Sequence, residues 1–356
     1  MRSITRLRAV AALAGLTLVI GGCAAASHLQ VLQPPAVKAA SAIALPVERQ
    51  PVAASQGVPK FQAGIDVDWY HGPGQSVTAD ALATAAYIQR LNANSVSISF
   101  PFFMDGTRSG SVHGTVSTPS PAQLATAIGI FKQAGLYVSL RPLLAEGSLG
   151  RDRDGWVPSN QRAWFASYER FLKPYALMAR RAGVGEFIIG SELTGIYHST
   201  RWVTLTRLMR TWYGGTLACA DNWPRIVANG CGVATQTVDA YHPADWTNLL
   251  AAWKQWDATL PHGMTETEVG IAAAKGAQNK PWVVSWPVHR TDPRLQASWF
   301  AAACQAAVTT HLGGIYFWSI GLTQTNPVGP TLARQTTWTG GAGARAIASC
   351  FGKIAR

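Results

Sequence analysis

The sequence predicts a single (β/α)8 barrel, an α/β domain that follows a signal peptide and a flexible linker. From residue 61 onward, short apolar runs of strand length alternate with helical patterns, and eight such runs are present. Alternation of this kind favours a parallel sheet covered by helices, and eight repeats over this length are typical of a closed barrel. Glycines mark short joints from helix to strand, whereas the loops from strand to helix are long. A doubly wound open sheet is the alternative, but no glycine-rich turn follows the first predicted strand.

Residues 1–22 have the composition of a bacterial export signal. A basic start precedes an apolar core from Ala9 to Ile20, which is too short to be a membrane-spanning helix with proper flanks. The segment Ile20–Cys23 resembles a lipoprotein lipobox, which implies cleavage before Cys23 and lipidation of its thiol. Ala24 then points to the outer membrane, if the cell has one. We therefore expect an exported protein that is anchored to the cell envelope through Cys23.

Residues 23–58 are the predicted linker between the lipid and the barrel, which we place at residues 59–356. After Cys23, the linker is rich in Ala, Pro, Val, Ser and Gln and shows no sustained periodicity. This composition is typical of a flexible tether. We expect it to hold the folded domain away from the lipid surface.

Eight segments are predicted strands because they are short, mostly apolar runs separated by helical patterns and turn residues. In a barrel they would run parallel, with their carboxyl ends at one face. The predicted strands are Ala63–Trp69, Ser95–Phe100, Tyr137–Arg141, Phe187–Ser191, Thr216–Ala220, Thr237–Tyr241, Gly263–Val269 and Gly314–Trp318.

The helical patterns lie between these strands, and Pro121–Gln133 illustrates them. Ser120 suits the position before the helix, Pro121 suits its first position, and apolar residues recur with helical spacing. Pro174 should kink or split the longest pattern, because proline removes a helical hydrogen bond. The predicted helices are Asp80–Leu91, Pro121–Gln133, Asn160–Arg181, Trp202–Tyr213, Trp246–Trp256, Pro293–Thr309 and Ala344–Ile354.

Four cysteines remain besides Cys23, and an even number in an exported protein fits two disulfides. Three connectivities are possible, of which we favour Cys219–Cys231 with Cys304–Cys350. No CxxC or Cys/His spacing typical of zinc is present, and no His-x-His follows a strand. We therefore expect neither a metal ion nor another cofactor.

The formal net charge is +12, and the basic residues are scattered along the sequence without a dense run. No nucleic-acid-binding motif is present, so we do not expect nucleic acid as a partner. We interpret the charge as a source of solubility and of attraction to anionic envelope surfaces. We expect the protein to be a monomer.

Two predicted strands end near a glutamate, which is costly to bury unless it is hydrogen-bonded, paired or used in chemistry. Glu192 follows Phe187–Ser191, and Glu268 lies near the end of Gly263–Val269. Cleavage of a glycosidic bond needs one acid to protonate the leaving oxygen and one carboxylate facing the anomeric carbon. The two glutamates therefore predict a paired-carboxylate site. Glu266 competes with Glu268, because residues two apart on a strand point the same way.

The other strand ends and long loops carry polar and aromatic side chains that suit a sugar. Aromatic faces hold the apolar face of a pyranose ring, and polar groups reach its hydroxyls. Asp66 and Asp68 follow the first strand, and we expect one to be structural and the other to bind sugar. The predicted substrate-binding residues are Asp68, Trp69, Arg141, Trp156, Asn222, Trp223, Tyr241, Trp282 and Trp318.

Several motifs together resemble the clan A (β/α)8 retaining glycoside hydrolases, and they are most similar to the β-mannanase-like barrels of glycoside hydrolase family 113. Each motif alone is short, but their order and spacing match over nearly all of residues 60–356. The motifs are Gly190–Leu193, Thr267–Ile271, Val138–Pro142, Asp239–Pro243 and Gly314–Ser319.

The resemblance implies a role for each matching residue. Glu192 would be the general acid/base and Glu268 the nucleophile, with Tyr241 hydrogen-bonded to the nucleophile. Trp318 would form the floor under the sugar at the point of cleavage. Many clan members have Asn before the acid/base, whereas this chain has Ser191, which loosens the assignment of the substrate.

The resemblance also implies the reaction, which is retaining hydrolysis of β-mannan or a related β-glycan or exopolysaccharide. Long loops with aromatic residues favour an open cleft and cleavage within the polymer. The alternative is a non-catalytic, envelope-tethered barrel that binds polysaccharide. Such a module needs the aromatic residues but not both acids, and because both acids are present we favour the enzyme.

Overall fold

The structure is a computed structural model that describes residues 57–354 apart from 146, 150–152, 154, 228–229, 245–246 and 323–334. The predicted signal peptide, Cys23 and nearly all of the linker lie outside the described residues. Among the described helices, none is long and apolar enough to cross a membrane.

The described residues contain nine strands in one sheet, and eight of them are parallel. The strand order is β1-β9-β8-β7-β6-β5-β4-β2, and a further pairing of β1 with β2 closes the barrel. The short β3 pairs antiparallel with the end of β2. The strands are β1 (Gln62–Asp68), β2 (Ser95–Met104), β3 (Val112–His113), β4 (Tyr137–Leu144), β5 (Glu186–Ser191), β6 (Thr216–Asn222), β7 (Thr235–Asp239), β8 (Thr265–Val269) and β9 (Gly314–Ile320).

The (β/α)8 barrel and all eight predicted strands are therefore confirmed, and only β3 was not predicted. Seven α-helices pack around the barrel in the described residues. They are α1 (Val77–Arg90), α2 (Pro121–Gln133), α3 (Gln161–Ala182), α4 (Arg201–Trp212), α5 (Leu249–Asp257), α6 (Pro293–Thr309) and α7 (Ala342–Ile354).

One crossover lacks an α-helix in its described residues. Between β6 and β7 the chain forms only the short 3-10 turn Gly230–Gly232. Cys231 in this turn is joined by a disulfide to Cys219 on β6, which ties the crossover to the barrel. The second disulfide joins Cys304 on α6 to Cys350 on α7. Both pairings are those favoured from the sequence.

Local sequence signals explain where the helices begin and end. The Ser120 hydroxyl accepts from the Gln123 backbone N–H, and the Gln123 side chain accepts from the Ser120 N–H, which forms a capping box before α2. Gly183 ends α3 with a φ of 63°, a conformation that favours glycine. Helix α3 continues through Pro174 as one element, so of the predicted kink or split, the split does not occur.

Tryptophan side chains fill much of the space between the barrel and its helices. Trp164, Trp202, Trp253 and Trp299 are fully buried on α3 to α6. Burial of one indole removes roughly 150–250 Å² from water, which stabilises the fold by about 4–6 kcal/mol before the entropic cost. These contacts hold the strands in place and thereby position the side chains at their carboxyl ends.

Candidate active site

A cleft of about 570 Å³ lies at the carboxyl ends of the barrel strands. Glu192 and Glu268 both line it, so the fold brings together two carboxylates that are distant in sequence. Five of the predicted substrate-binding residues also line this cleft, namely Asn222, Trp223, Tyr241, Trp282 and Trp318.

Glu268 is buried at the end of β8, and both of its oxygens have partners. Oε1 forms an ion pair of 2.7 Å with Nη2 of Arg141. The Tyr241 hydroxyl donates to Oε2 at 2.7 Å. Burial raises the pKa of Glu268, and the nearby Glu192 adds to this, whereas Arg141 and the Tyr241 hydrogen bond oppose the rise. These two contacts favour the carboxylate form and orient it toward the cleft.

Arg141 lies beneath the cleft and not on its surface, so the predicted direct contact with substrate is wrong. Its side chain is fully buried on β4. Besides Glu268, its guanidinium donates to Asp239 at 2.5 Å and to the Ser191 hydroxyl at 2.5 Å. A buried cation requires such partners, because water cannot solvate it. Arg141 therefore positions the carboxylates, and the Ser191 side chain holds Arg141.

Glu192 follows β5 with a φ of 52°, in the left-handed region that a residue with a side chain rarely adopts. Its backbone N–H donates to the Ala220 carbonyl at 3.0 Å. Asn222 donates from Nδ2 to Oε1 of Glu192 at 3.4 Å. Strained backbone of this kind is found at functional sites, where surrounding contacts hold it.

Arg153, which was not predicted from the sequence, contacts the other oxygen of Glu192. Its Nε donates to Oε2 at 3.1 Å, and Nη2 forms an ion pair with the same atom. Its Nη1 donates to the Leu144 carbonyl at 3.0 Å, which fixes the guanidinium beside the end of β4. Arg153 lies in a long strand-to-helix loop and not at a strand end. The only signal for it in the sequence was a cation in such a loop.

Glu266 and Glu268 point in different directions, so the prediction that they share a face is wrong. Val238 pairs with Glu266 and Asp239 pairs with Glu268, which leaves Thr267 as an extra residue in β8. A bulge of this kind interrupts the alternation of side chains. Burial raises the pKa of Glu266, and a further rise comes from Asp257 at the end of α5. Glu266 thus lies near the helix layer, whereas Glu268 lines the cleft.

Two tryptophans from different loops form one wall of the cleft. The rings of Trp223 and Trp282 stack with centroids 6.0 Å apart and planes inclined by 22°. Trp282 is 39% exposed, so its surface is open to a ligand. Trp318 at the end of β9 contributes a half-buried indole to the same cleft. Its ring centroid lies 5.9 Å from the guanidinium carbon of Arg141.

Two other predicted sugar-binding tryptophans are buried structural residues. Trp156 donates from Nε1 to the Thr107 carbonyl at 2.8 Å and packs on Trp164. Trp69 donates from Nε1 to Gln75 at 2.9 Å and is 1% exposed. Neither indole lines the cleft, because each is packed between its own loop and the barrel.

The two aspartates of β1 lie near the carboxylate pair but do not line the cleft. Burial raises the pKa of Asp66 to about 8, and Arg141 opposes this rise. Burial and the Glu268 charge raise the pKa of Asp68 to about 7. Asp68 is half-buried at the end of β1, and its contact with sugar stays a prediction. In the described part of the chain, no group of three or more His, Cys, Asp or Glu side chains is arranged to hold a metal ion.

Solved structures with the same fold include several glycoside hydrolases. A GH113 β-1,4-mannanase, determined as a complex, is 16% identical, covers 83% of this chain and 99% of its own, and has a TM-score of 0.69. The GH113 β-mannanase AaManA from Alicyclobacillus acidocaldarius is 22% identical, with coverages of 83% and 98% and a TM-score of 0.69. A family 5 mannosidase from Rhizomucor miehei is 9% identical, with coverages of 84% and 94% and a TM-score of 0.52. At these identities the likeness shows the fold alone.

No curated protein matches the chain. The sequence model of Glycoside Hydrolase Family 113, however, matches residues 67–326, which is well over half of the chain. This span runs from β1 to beyond β9 and includes both glutamates of the cleft. The chain therefore belongs to Glycoside Hydrolase Family 113.

Proposed function

We propose that this protein is a retaining glycoside hydrolase that cleaves internal bonds of β-mannan or a related β-linked polysaccharide. The observation that carries the proposal is the pair of carboxylates in one cleft, each in a different environment. Glu268 is held by Arg141 and Tyr241, whereas Glu192 is held by Arg153 and Asn222. Different surroundings allow two glutamates to take different roles.

In the first step, a carboxylate oxygen of Glu268 attacks the anomeric carbon. The bond from that carbon to the leaving oxygen breaks, and Glu192 gives its proton to this oxygen. Arg141 and Tyr241 keep Glu268 ionised and aimed at the cleft. The product of this step is a glycosyl ester on Glu268 and a free sugar that leaves the cleft.

In the second step, Glu192 acts as a base. It removes a proton from water, and the resulting oxygen attacks the anomeric carbon and displaces Glu268. The configuration at this carbon inverts twice and is therefore retained. Glu192 ends the cycle protonated and Glu268 ends it ionised, which restores the starting state.

Arg153 has a consequence for the first step. Its guanidinium occupies Oε2 of Glu192, and in the acid role that carboxyl group must reach the leaving oxygen. We infer that substrate entry draws the guanidinium away from Oε2, because the leaving oxygen must approach the same group. Asn222 remains on Oε1 and keeps the side chain oriented.

The choice of substrate rests on the surface of the cleft and on the similar structures described above. Trp223, Trp282 and Trp318 offer aromatic surface for pyranose rings, and the cleft is open at the strand ends. The structures of the same family named above are β-mannanases. An open groove with an aromatic wall suits an internal stretch of polymer.

The test is a hydrolysis screen of the purified protein against β-mannans, β-glucans, xylan and bacterial exopolysaccharides, with product anomers followed by NMR. We expect cleavage of a β-mannan and initial products with the β configuration. Glu192→Ala should lose activity on the polymer. On an aryl glycoside whose leaving group needs no proton, it should still release about one equivalent of that group in a burst and then stall, because the second step lacks its base. Inverted products would contradict the mechanism, and binding without hydrolysis would favour the non-catalytic alternative.

We also propose that the chain is exported and lipid-anchored at Cys23, on the basis of its apolar leader and the sequence Ile20–Cys23. Cells that express the protein and are supplied with labelled palmitate should incorporate the label. Cys23→Ser should abolish incorporation, whereas a cysteine change in the barrel should not. Labelling that persists in Cys23→Ser would contradict the anchor.

A further inference from the structure

The outer side of α3 carries a row of exposed cations. They recur along one face of the helix, and the single acidic residue of the helix, Glu169, is half-buried beside them. A row of like charges on one face disfavours the folded state by self-repulsion unless an opposite charge is near. The exposed cations of α3 are Arg162, Arg170, Lys173, Arg180 and Arg181.

Helix α4 packs beside α3 and continues this surface. It exposes Arg201, Arg207 and Arg210 and has no acidic residue. The two helices meet where Nζ of Lys173 lies 5.5 Å from the ring centroid of Trp212. We call the eight exposed cations of α3 and α4 the basic face.

None of these eight side chains forms an ion pair with a carboxylate in the described part of the chain. With one acid against eight cations, the basic face has seven positive charges in excess, out of a formal net charge of +12 for the whole chain. The basic residues are scattered along the sequence, but the fold gathers these eight from two separate segments onto one surface.

The position of the basic face leaves the cleft accessible. Helices α3 and α4 lie on either side of β5 in sequence and cover the outside of the barrel. The cleft opens at the carboxyl ends of the strands, where Glu192 follows β5. A surface that contacts the flank of the barrel would therefore not cover the carboxylates.

We propose that the basic face docks the barrel on a membrane surface that contains anionic phospholipids. Charge complementarity favours an anionic partner, and the predicted lipid on Cys23 would bring the barrel within reach of a membrane. A single lipid chain gives weak membrane binding, and a basic surface is the kind of second signal that stabilises it. Val203, the exposed large apolar residue of α4, is 52% exposed, so the contact is mainly electrostatic.

The experiment measures partitioning of the full chain onto vesicles of phosphatidylcholine alone and of phosphatidylcholine with an equal amount of phosphatidylglycerol. Binding of the N-terminal segment to neutral vesicles is common to all variants. The gain from phosphatidylglycerol, meaning the increase in the partition coefficient when this lipid is present, therefore measures the electrostatic contribution. We expect this gain to be at least about tenfold at low salt and to fall as salt rises.

The test variant carries Arg170→Gln, Lys173→Gln, Arg207→Gln and Arg210→Gln. It should lose most of the gain from phosphatidylglycerol. A matched control removes the same charge from exposed positions elsewhere and should keep most of the gain. The control changes are Lys60→Gln, Arg294→Gln, Arg345→Gln and Lys353→Gln.

Equal losses in the two variants would overturn the proposal, because they would show a response to net charge alone. An absence of any gain with phosphatidylglycerol would overturn it as well. Binding to a soluble polyuronate that depends on the basic face, without binding to anionic vesicles, would assign the surface to an acidic polymer instead. Hydrolysis of a soluble polysaccharide should be unchanged in both variants, since none of the changed residues lines the cleft.

Discussion

Arg153 and Glu192 lie 39 residues apart in the sequence, yet Nε of Arg153 is 3.1 Å from Oε2 of Glu192. Nη1 of the same guanidinium donates to the Leu144 carbonyl. The side chain of Arg153 is 24% exposed, so the pair is open to substrate at the cleft. This contact joins the proposed acid to a residue of the loop that follows β4.

Removal of this cation should lower the rate of catalysis. In Arg153→Gln, Glu192 loses the partner that holds Oε2, so its carboxyl group is less well oriented toward the leaving oxygen. We expect kcat/KM on the polysaccharide to fall by a factor on the order of 10 to 100. Arg162→Gln on the outer side of α3 is the control and should leave kcat/KM unchanged. An unchanged kcat/KM in Arg153→Gln would show that the contact does not orient the acid.

The Tyr241 hydroxyl should control the acidic limb of the pH profile of kcat/KM. Its hydrogen bond lowers the pKa of Glu268, which burial raises. Tyr241→Phe removes this contact, so the pKa of Glu268 should rise further, and the ionised nucleophile should be lost at a higher pH as acid is added. A hydrogen bond to a charged group is worth about 1.5–3 kcal/mol, which corresponds to a shift of about one to two pH units.

The control for Tyr241→Phe is Tyr175→Phe, and the pH profile of kcat/KM is measured for both variants. Tyr175 donates to the Pro119 carbonyl, away from the cleft, and its side chain is buried. The control should lose some stability while its acidic limb stays in place. If both variants keep the wild-type acidic limb, the hydroxyl of Tyr241 does not set the charge of Glu268.

Glu266 and Glu268 should respond differently to the same substitution. Glu268→Gln should lower kcat by a factor on the order of 10⁴ or more, because the nucleophile is lost. Glu266→Gln should keep kcat, because its side chain lies near Asp257 and not in the cleft. Steady-state kinetics on one polysaccharide compare the two, and a collapse of kcat in Glu266→Gln alone would reverse the assignment.

Glu266 should also make stability depend on pH. Burial raises the pKa of Glu266 in the folded state above its value in the unfolded chain. The contribution of Glu266 to stability is therefore complete at pH values below the unfolded pKa. It is lost as the pH rises through the folded pKa. Glutamine stays neutral and escapes this loss. We therefore expect the free energy of unfolding of Glu266→Gln to rise relative to that of the wild type as pH rises, by up to about 1.4 kcal/mol per pH unit. Urea unfolding at acidic and alkaline pH measures this difference, and a parallel decline would contradict it.

The tryptophan wall should act on long substrates more than on short ones. Trp282→Ala removes an exposed ring that stacks on Trp223, so distant sugar rings lose a surface. A loss of about 1–1.5 kcal/mol would raise KM for the polymer roughly tenfold with little change in kcat. Val288→Ala, at another exposed apolar residue of the same loop, should have no such effect. Equal losses on a disaccharide and on the polymer would place the wall at the point of cleavage.

The disulfide between α6 and α7 should contribute strongly to stability. Cys304 and Cys350 are 46 residues apart, and the loop-entropy model gives a loss of about 4 kcal/mol when both are changed to Ala. The closure of 12 residues by Cys219–Cys231 corresponds to about 3 kcal/mol. Urea unfolding of each double variant measures these values. Losses well below about 1 kcal/mol would show that the unfolded chain is not constrained by the bonds.

Several features of the site could be predicted because they depend on local patterns. Apolar runs and helical spacing identify the strands and helices, and parallel strands place their carboxyl ends at one face. This reasoning was sufficient to locate Glu192, Glu268, Asn222, Tyr241 and Trp318 around one cleft. Loop residues were less predictable, because a loop has no periodicity that sets the direction of a side chain. Trp156 was therefore misassigned, and Arg153 was missed.

By itself, the sequence determined the order of strands and helices, the barrel and the two glutamates at the strand ends, since each follows from neighbours within a few positions. Tertiary structure alone decided that the bulge at Thr267 separates Glu266 from Glu268, that Arg141 lies beneath the site, and that cations from α3 and α4 share one surface. The physical reason is that these relationships arise from contacts between segments far apart in the chain. Pairing register, burial and charge proximity exist only when those segments pack together.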